Sequence, residues 1–160
     1  MLNITIIAVG KLKEKYWTQA VMEYSKRLGS SVKLNIIEVK DEPSSDKPSE
    51  GEIRTILSKE AERIAARAPK RAFTVALCVE GKEISSEELA EKIKSLTVSG
   101  VGHIAFIIGG SLGLDEELKS RADLKLSFSK MTFPHQLMRV ILLEQIYRAT
   151  CINSGKTYHK

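Results

Sequence analysis

Leu126-Ser127-Phe128-Ser129-Lys130-Met131-Thr132-Phe133-Pro134-His135-Gln136-Leu137-Met138-Arg139 sets a polar, basic loop directly before a strongly apolar helix. A short strand, Leu124 to Phe128, feeds the loop, and the helix runs from Pro134 to Ala149. A strand that hands over to a helix through a polar loop is one unit of an α/β sheet, and loops of this kind commonly bind ligands. Pro134 suits the first turn of a helix, which leaves Ser127, Ser129 and Thr132, with Lys130 beside them, to cap the turn or hold a ligand. In the helix, Leu137, Val140, Ile141, Leu142, Leu143, Ile146 and Tyr147 are apolar too far round for one sheet face to cover. That width points to a helix shared between the sheet and a second subunit.

Upstream, the pattern alternates. Ile4 to Val9 is a β-branched run ended by Gly10, which reads as a buried strand. Tyr16, Trp17, Ala20, Val21, Tyr24 and Leu28 recur at helical spacing until Gly29 stops them. Val32 to Val39 predicts a second strand, and Lys40 to Gly51, rich in Pro, Ser and acids, a surface loop. Ile53, Ile56, Leu57, Ala61, Ile64, Ala65 and Ala68 mark a helix closed by Pro69. Phe73 to Val79 is a nearly continuous apolar strand that Glu80-Gly81-Lys82 turns. Ser85-Ser86-Glu87-Glu88 is a capping box for a helix through Leu89, Ile93 and Leu96. His103 to Ile108 is a fourth strand, and Asp115 to Arg121 a short helix. Strands apolar on both faces, alternating with helices, predict an α/β fold with a parallel-rich sheet covered by helices. No internal repeat or second domain interrupts residues 1–160.

The 160 residues, 42% of them hydrophobic, suffice for one core that buries about 70% of the unfolded surface. The net charge of +5 favours an acidic partner such as RNA. Cys78 and Cys151 sit in apolar contexts without a CxxC pair and read as reduced core thiols, as in a cytoplasmic protein. The apolar run after Met1 is too short to span a bilayer and lacks a basic region before it, so no membrane role is expected. The histidines and cysteines lack ligand spacing, so no metal site is expected.

In an open α/β sheet, ligands bind beyond the carboxyl ends of strands, here after Val79, Ile108 and Phe128. The second of these loops holds Gly109, Gly110 and Gly113, which allow positive φ and close backbone approach, although Gly-Gly-Ser-x-Gly also reads as a plain tight turn. His135 falls in a helix's first turn, where the dipole disfavours a charged imidazole; a neutral ring there can accept a proton or simply sit at the surface. Arg139 and Arg148 lie among apolar neighbours, compatible with snorkelling, with an ion pair to Glu144, or with an RNA contact. His103 opens a strand and reads as structural.

Taken together, Ile6-Ile7-Ala8-Val9-Gly10-Lys11-Leu12-Lys13, Phe106-Ile107-Ile108-Gly109-Gly110-Ser111, the Leu126 to Gln136 stretch and the closing Lys156-Thr157-Tyr158-His159-Lys160 make the chain resemble the RlmH family of SPOUT-class RNA methyltransferases. The resemblance implies a homodimeric SPOUT fold with a C-terminal trefoil knot, S-adenosylmethionine as methyl donor, and methylation of N3 of a pseudouridine in the helix 69 loop of 23S rRNA within the assembled ribosome. By position it assigns the cofactor to Leu77, Gly109 and the loop Phe128, Ser129, Lys130, Met131, Thr132 and Phe133. It makes Tyr158 and His159 the leading candidates for substrate positioning and proton handling at the other subunit's cofactor, with His135 and Arg139 behind them. The alternatives are a non-catalytic ribosome-binding module of the same fold and a SPOUT methyltransferase acting on tRNA.

Overall fold

A computed structural model of the chain describes residues 1–158. Ten elements alternate along it: β1 (Leu2–Val9), α1 (Lys15–Leu28), β2 (Val32–Val39), α2 (Glu50–Arg67), β3 (Phe73–Glu83), α3 (Ser86–Val98), β4 (His103–Ile108), α4 (Glu116–Arg121), β5 (Leu124–Ser127) and α5 (His135–Ser154). The strands form one sheet in the order β2-β1-β4-β3-β5. Every pairing in it is parallel. Alternation of side chains across β1 explains the two cores. Ile4, Ile6 and Ala8 face α1, α3 and α5, whereas Ile7 and Val9 face α2 and α4. The sheet is therefore sandwiched between helices, which is why its strands are apolar on both faces.

Besides α5, which runs past the expected Ala149 to Ser154, and one-residue differences elsewhere, three boundaries differ from the sequence reading for a local reason. α2 begins at Glu50, inside the expected loop, because the Ser49 side chain accepts the Glu52 N–H and caps it. Glu80-Gly81-Lys82 does not end β3. The strand continues to Glu83 through a register shift in which Leu77 and Lys82 both lie opposite Leu126. Gly81 permits it: an added Cβ would sit 2.7 Å from the Leu126 carbonyl carbon. Pro134 is the N-cap of α5 rather than its first residue, with an extended ψ of 134°. The expected capping box at Ser85 and Glu88 is present in both directions.

Along α5, Arg139, Leu142, Leu143, Ile146, Ala149 and Cys151 are buried, packed mainly against α1 and α3. Leu137, Val140, Ile141 and Tyr147 on the rest of its surface are half-buried.

Candidate functional site

The carboxyl ends of β3, β4 and β5 open into a cleft of about 400 Å³. Leu77 and the looped-out Cys78, Val79 and Glu80 form one wall, the Gly109–Leu114 turn another, and Phe128, Ser129, Met131, Thr132 and Phe133 a third. The β3 register shift is what turns Cys78 to Glu80 toward this space, since a bulge re-aims the residues it displaces. Cys78 is thus half-buried at the cleft, not in the core as expected, while Cys151 is buried. The glycine segment is a tight turn and a cleft wall at once. Gly113 donates to the Gly110 carbonyl at 3.1 Å and has a φ of 85°; a Cβ at Gly109 would collide with the Gly113 carbonyl.

The β5–α5 loop holds its own shape. Ser127 Oγ donates to the Ser129 carbonyl at 2.9 Å, and Ser129 Oγ accepts the Met131 N–H at 3.0 Å. These two hydroxyls therefore serve the loop, and Pro134 has no side chain with which to cap α5. Lys130 is exposed and, alone in Phe128 to Phe133, does not line the cleft. At the lip, the Lys119 ammonium is paired with both Glu80 and Glu116. Lys119 is itself buried.

His135 lines the cleft from the first turn of α5. Burial, and then the charge of Arg139, hold its imidazole below its ordinary value. The neutral form expected from sequence is therefore supported, with burial as the main cause. Arg139 is 1% exposed and is not among the residues lining the cleft. Its Nη1 donates to Glu38 Oε2 at 2.5 Å and its Nη2 to the Gly10 carbonyl at 3.2 Å, and among the described residues Nε has no partner. Of the two arginines for which an ion pair with Glu144 was considered, Arg148 makes it and Arg139 pairs with Glu38, because residues four apart share a helix face and residues five apart do not. Glu38 also accepts the Leu12 N–H, and Gln136 accepts that of Lys13. The β1–α1 loop is thereby pinned to the start of α5.

Tyr158 lies elsewhere. Its ring stacks edge-on against Tyr147 at 4.8 Å, Arg148 sits over it, and its hydroxyl donates to Glu144 at 3.3 Å. Tyr147 is about 14 Å along the helix axis from Met138, the last residue of α5 to line the cleft. Burial foremost raises the Tyr158 pKa, so the phenol stays protonated near neutrality. His159 lies outside the described residues. His103 has a partner, with Thr5 Oγ1 at 2.8 Å from its Nε2.

Sequence reasoning missed Glu60. It is buried on α2 between Ile56 and Ile64, so a carboxylate at the centre of an i, i+4 apolar stripe was the available signal. Burial pushes its pKa up, against the Glu42 N–H that it accepts.

Residues 2–159 match the family described as "Predicted SPOUT methyltransferase". A Bifidobacterium adolescentis protein called ribosomal RNA large subunit methyltransferase H is 59% identical, covering 99% of this chain and all of its own length. The chain belongs to the RlmH family of SPOUT methyltransferases. A Clostridium novyi protein with the same name is 58% identical over the same shares of the two chains. Among solved structures, a probable methylase family protein from Haemophilus influenzae superposes with a TM-score of 0.53 at 16% identity, over 99% of this chain and 70% of that one. At that distance the likeness concerns the fold alone.

Proposed function

We propose that this chain transfers a methyl group from S-adenosylmethionine to N3 of a pseudouridine in the helix 69 loop of 23S rRNA, as a cytoplasmic homodimer acting on the assembled ribosome. One observation carries the reading. Leu77, Gly109 and, Lys130 excepted, the Phe128 to Phe133 loop, far apart in sequence and assigned to one cofactor by the family resemblance, border a single cleft. The names of the RlmH relatives support rRNA as the substrate.

The cleft fits the cofactor in size and chemistry. Its volume of about 400 Å³ lies within the usual range for small-molecule sites. Leu77, Ile108, Leu114 and Phe133 offer apolar surface to an adenine ring, the two turns offer backbone groups, and Glu80 and Glu116, with Lys119 between them, leave one net negative charge at the lip for a cationic ligand. Among the described residues no cluster could hold a metal. S-adenosylmethionine, when bound, supplies an electrophilic methyl on its sulfonium. Holding the base in line with that methyl is the main task left to the protein.

The imide N3 carries a proton that must leave. His135, neutral and at the cleft edge, is able to accept it, while the protonated Tyr158 hydroxyl is suited to donate a hydrogen bond to the substrate in the partner's cleft. His159 belongs with Tyr158 in this role. Arg139 acts as a positioning residue, holding the β1–α1 loop against the turn that carries His135. The knot implied by the resemblance would brace the Phe128 to Phe133 loop. Mass mapping of 23S rRNA from cells with and without the gene tests the proposal: a methylated pseudouridine in helix 69 should vanish on deletion and return on complementation. Its persistence without the gene would overturn the assignment.

A further inference from the structure

Beside the cleft lies a second cavity of about 680 Å³, bounded by the β1–α1 loop, the chain after β2, α2 and the first turn of α5. Gly110, Ser111, Leu112 and His135 line both spaces, so the two share a wall. Glu60 reaches this cavity from α2 although it is only 5% exposed. A Cβ at Gly110 would lie 3.8 Å from Glu60 Oε2, which puts the carboxylate against the shared wall. Among the described residues one hydrogen-bond donor meets it, the Glu42 N–H at 3.0 Å. A carboxylate has about four acceptor positions; the Glu42 N–H takes one of them, and the cavity that Glu60 lines gives a ligand access to the others.

Pseudouridine has two ring N–H groups, because its glycosidic bond runs through carbon. N3–H is the reacting group. N1–H lies across the C2 carbonyl from it and points in a diverging direction, so a base that turns N3 toward the cleft can turn N1–H into a neighbouring cavity that shares a wall with it. In uridine a C–H occupies the place of N1–H and donates nothing. We infer that Glu60 is a specificity-determining residue whose carboxylate accepts the N1–H of the target base in the second cavity while N3 faces the cofactor cleft. The inference rests on the pseudouridine reading above. It gives the enzyme a means of refusing unmodified uridine, since a site built around a hydrogen bond rejects the analogue that leaves its buried acceptor unpaired.

The test compares kcat/KM on ribosomes bearing pseudouridine or uridine at the target position, the latter from cells lacking the synthase that makes the pseudouridine. The wild-type protein should favour pseudouridine by at least about tenfold. Glu60→Gln keeps the shape and loses the charge; it should slow methylation of pseudouridine, leave the uridine rate near its original value and so shrink the preference, with S-adenosylmethionine affinity by calorimetry unchanged. Equal loss on both substrates would assign Glu60 to anchoring the Glu42 loop and overturn the inference, as would a wild-type enzyme without preference. A wild-type protein that methylates neither ribosome sinks the methyltransferase reading itself. Should Glu60→Gln lose its fold by circular dichroism, ribosomes assembled from large subunits reconstituted with pseudouridine, uridine or N1-methylpseudouridine at the target decide with the wild-type protein alone. Methylation no faster than with uridine is expected, and methylation at the pseudouridine rate overturns the inference.

Discussion

Burial holds the His135 imidazole below its ordinary 6.5, and the charge of Arg139 adds to the effect. The unfolded chain therefore takes up a proton that the folded chain refuses between 6.5 and the lower folded value. The associated stability is fully present above 6.5 and is lost as pH falls through the folded pKa. Urea denaturation at pH 7 and pH 5 should show a smaller loss for His135→Gln than for the wild-type chain, and equal losses would contradict the burial argument. The direction of this shift was legible in sequence from the helix-start position, but its main cause was not, because it depends on chain far from α5 folding over the ring. Arg139 was opaque for the same reason: its partner Glu38 lies on β2, and no local spacing connects them. Removing one member of a buried pair strands the other, at about 3–5 kcal/mol. Glu38 keeps 37% of its side chain exposed, which moves the expectation below that range, to about 2–3 kcal/mol for Arg139→Ala. Arg139→Lys should recover little, since an ammonium lacks the planar fork that meets Glu38 and the Gly10 carbonyl together. A shift in urea midpoint at constant slope is the measurement.

The register shift in β3 shows how an element can be present in the sequence and still be misread. Glu80-Gly81-Lys82 has the composition of a turn, and only the return of β5 alongside makes it a bulge. The alternating strands and helices could be read because each carries its own period and its own stops. The bulge could not, because it is a property of two segments in contact. α2 is a contrasting case: Ser49 and Glu52 were a readable cap, obscured by Gly51 and the prolines before it. Gly81→Ala tests what the bulge does for the cleft. Its φ is unexceptional, so the penalty is purely steric, a Cβ against the Leu126 backbone that cannot swing aside. Overpacking of this kind costs about 1–3 kcal/mol. Because the same bulge lines the cleft with Cys78, Val79 and Glu80, S-adenosylmethionine affinity should also fall, by about tenfold, when measured by calorimetry in EDTA. Lower stability with unchanged affinity would separate the bulge from the cofactor.

A net charge of +5 per chain brought to an rRNA loop must displace counterions, so affinity for ribosomes should fall as salt rises, with a slope near one per phosphate contact. A flat response in filter binding would remove electrostatics from the account. The tail raises the sharper question. Tyr158 is fixed on Tyr147, Arg148 and Glu144, about 14 Å along α5 from the cleft of its own chain. On the role proposed for it, a tail held there serves a cleft on another subunit. In an isologous dimer each surface meets its own copy, and the half-buried Leu137, Val140 and Ile141 on α5 offer an apolar surface for that contact. The shared site can be divided between two defective chains. One lacks Tyr158 to Lys160 and keeps its cleft; the other keeps its tail and carries Thr132→Trp, a bulky ring on an exposed residue that lines the cleft. Either homodimer should methylate ribosomes at least about a hundredfold more slowly than wild type. After the two are mixed and allowed to exchange, half of the dimers are hybrids, and in each hybrid the intact cleft meets the intact tail once. Activity should therefore return to about a quarter of the wild-type level. Recovery requires that tail and cleft come from different chains, so a mixture that stays as inactive as its parents, while light scattering shows that subunits have exchanged, would confine the tail to its own chain.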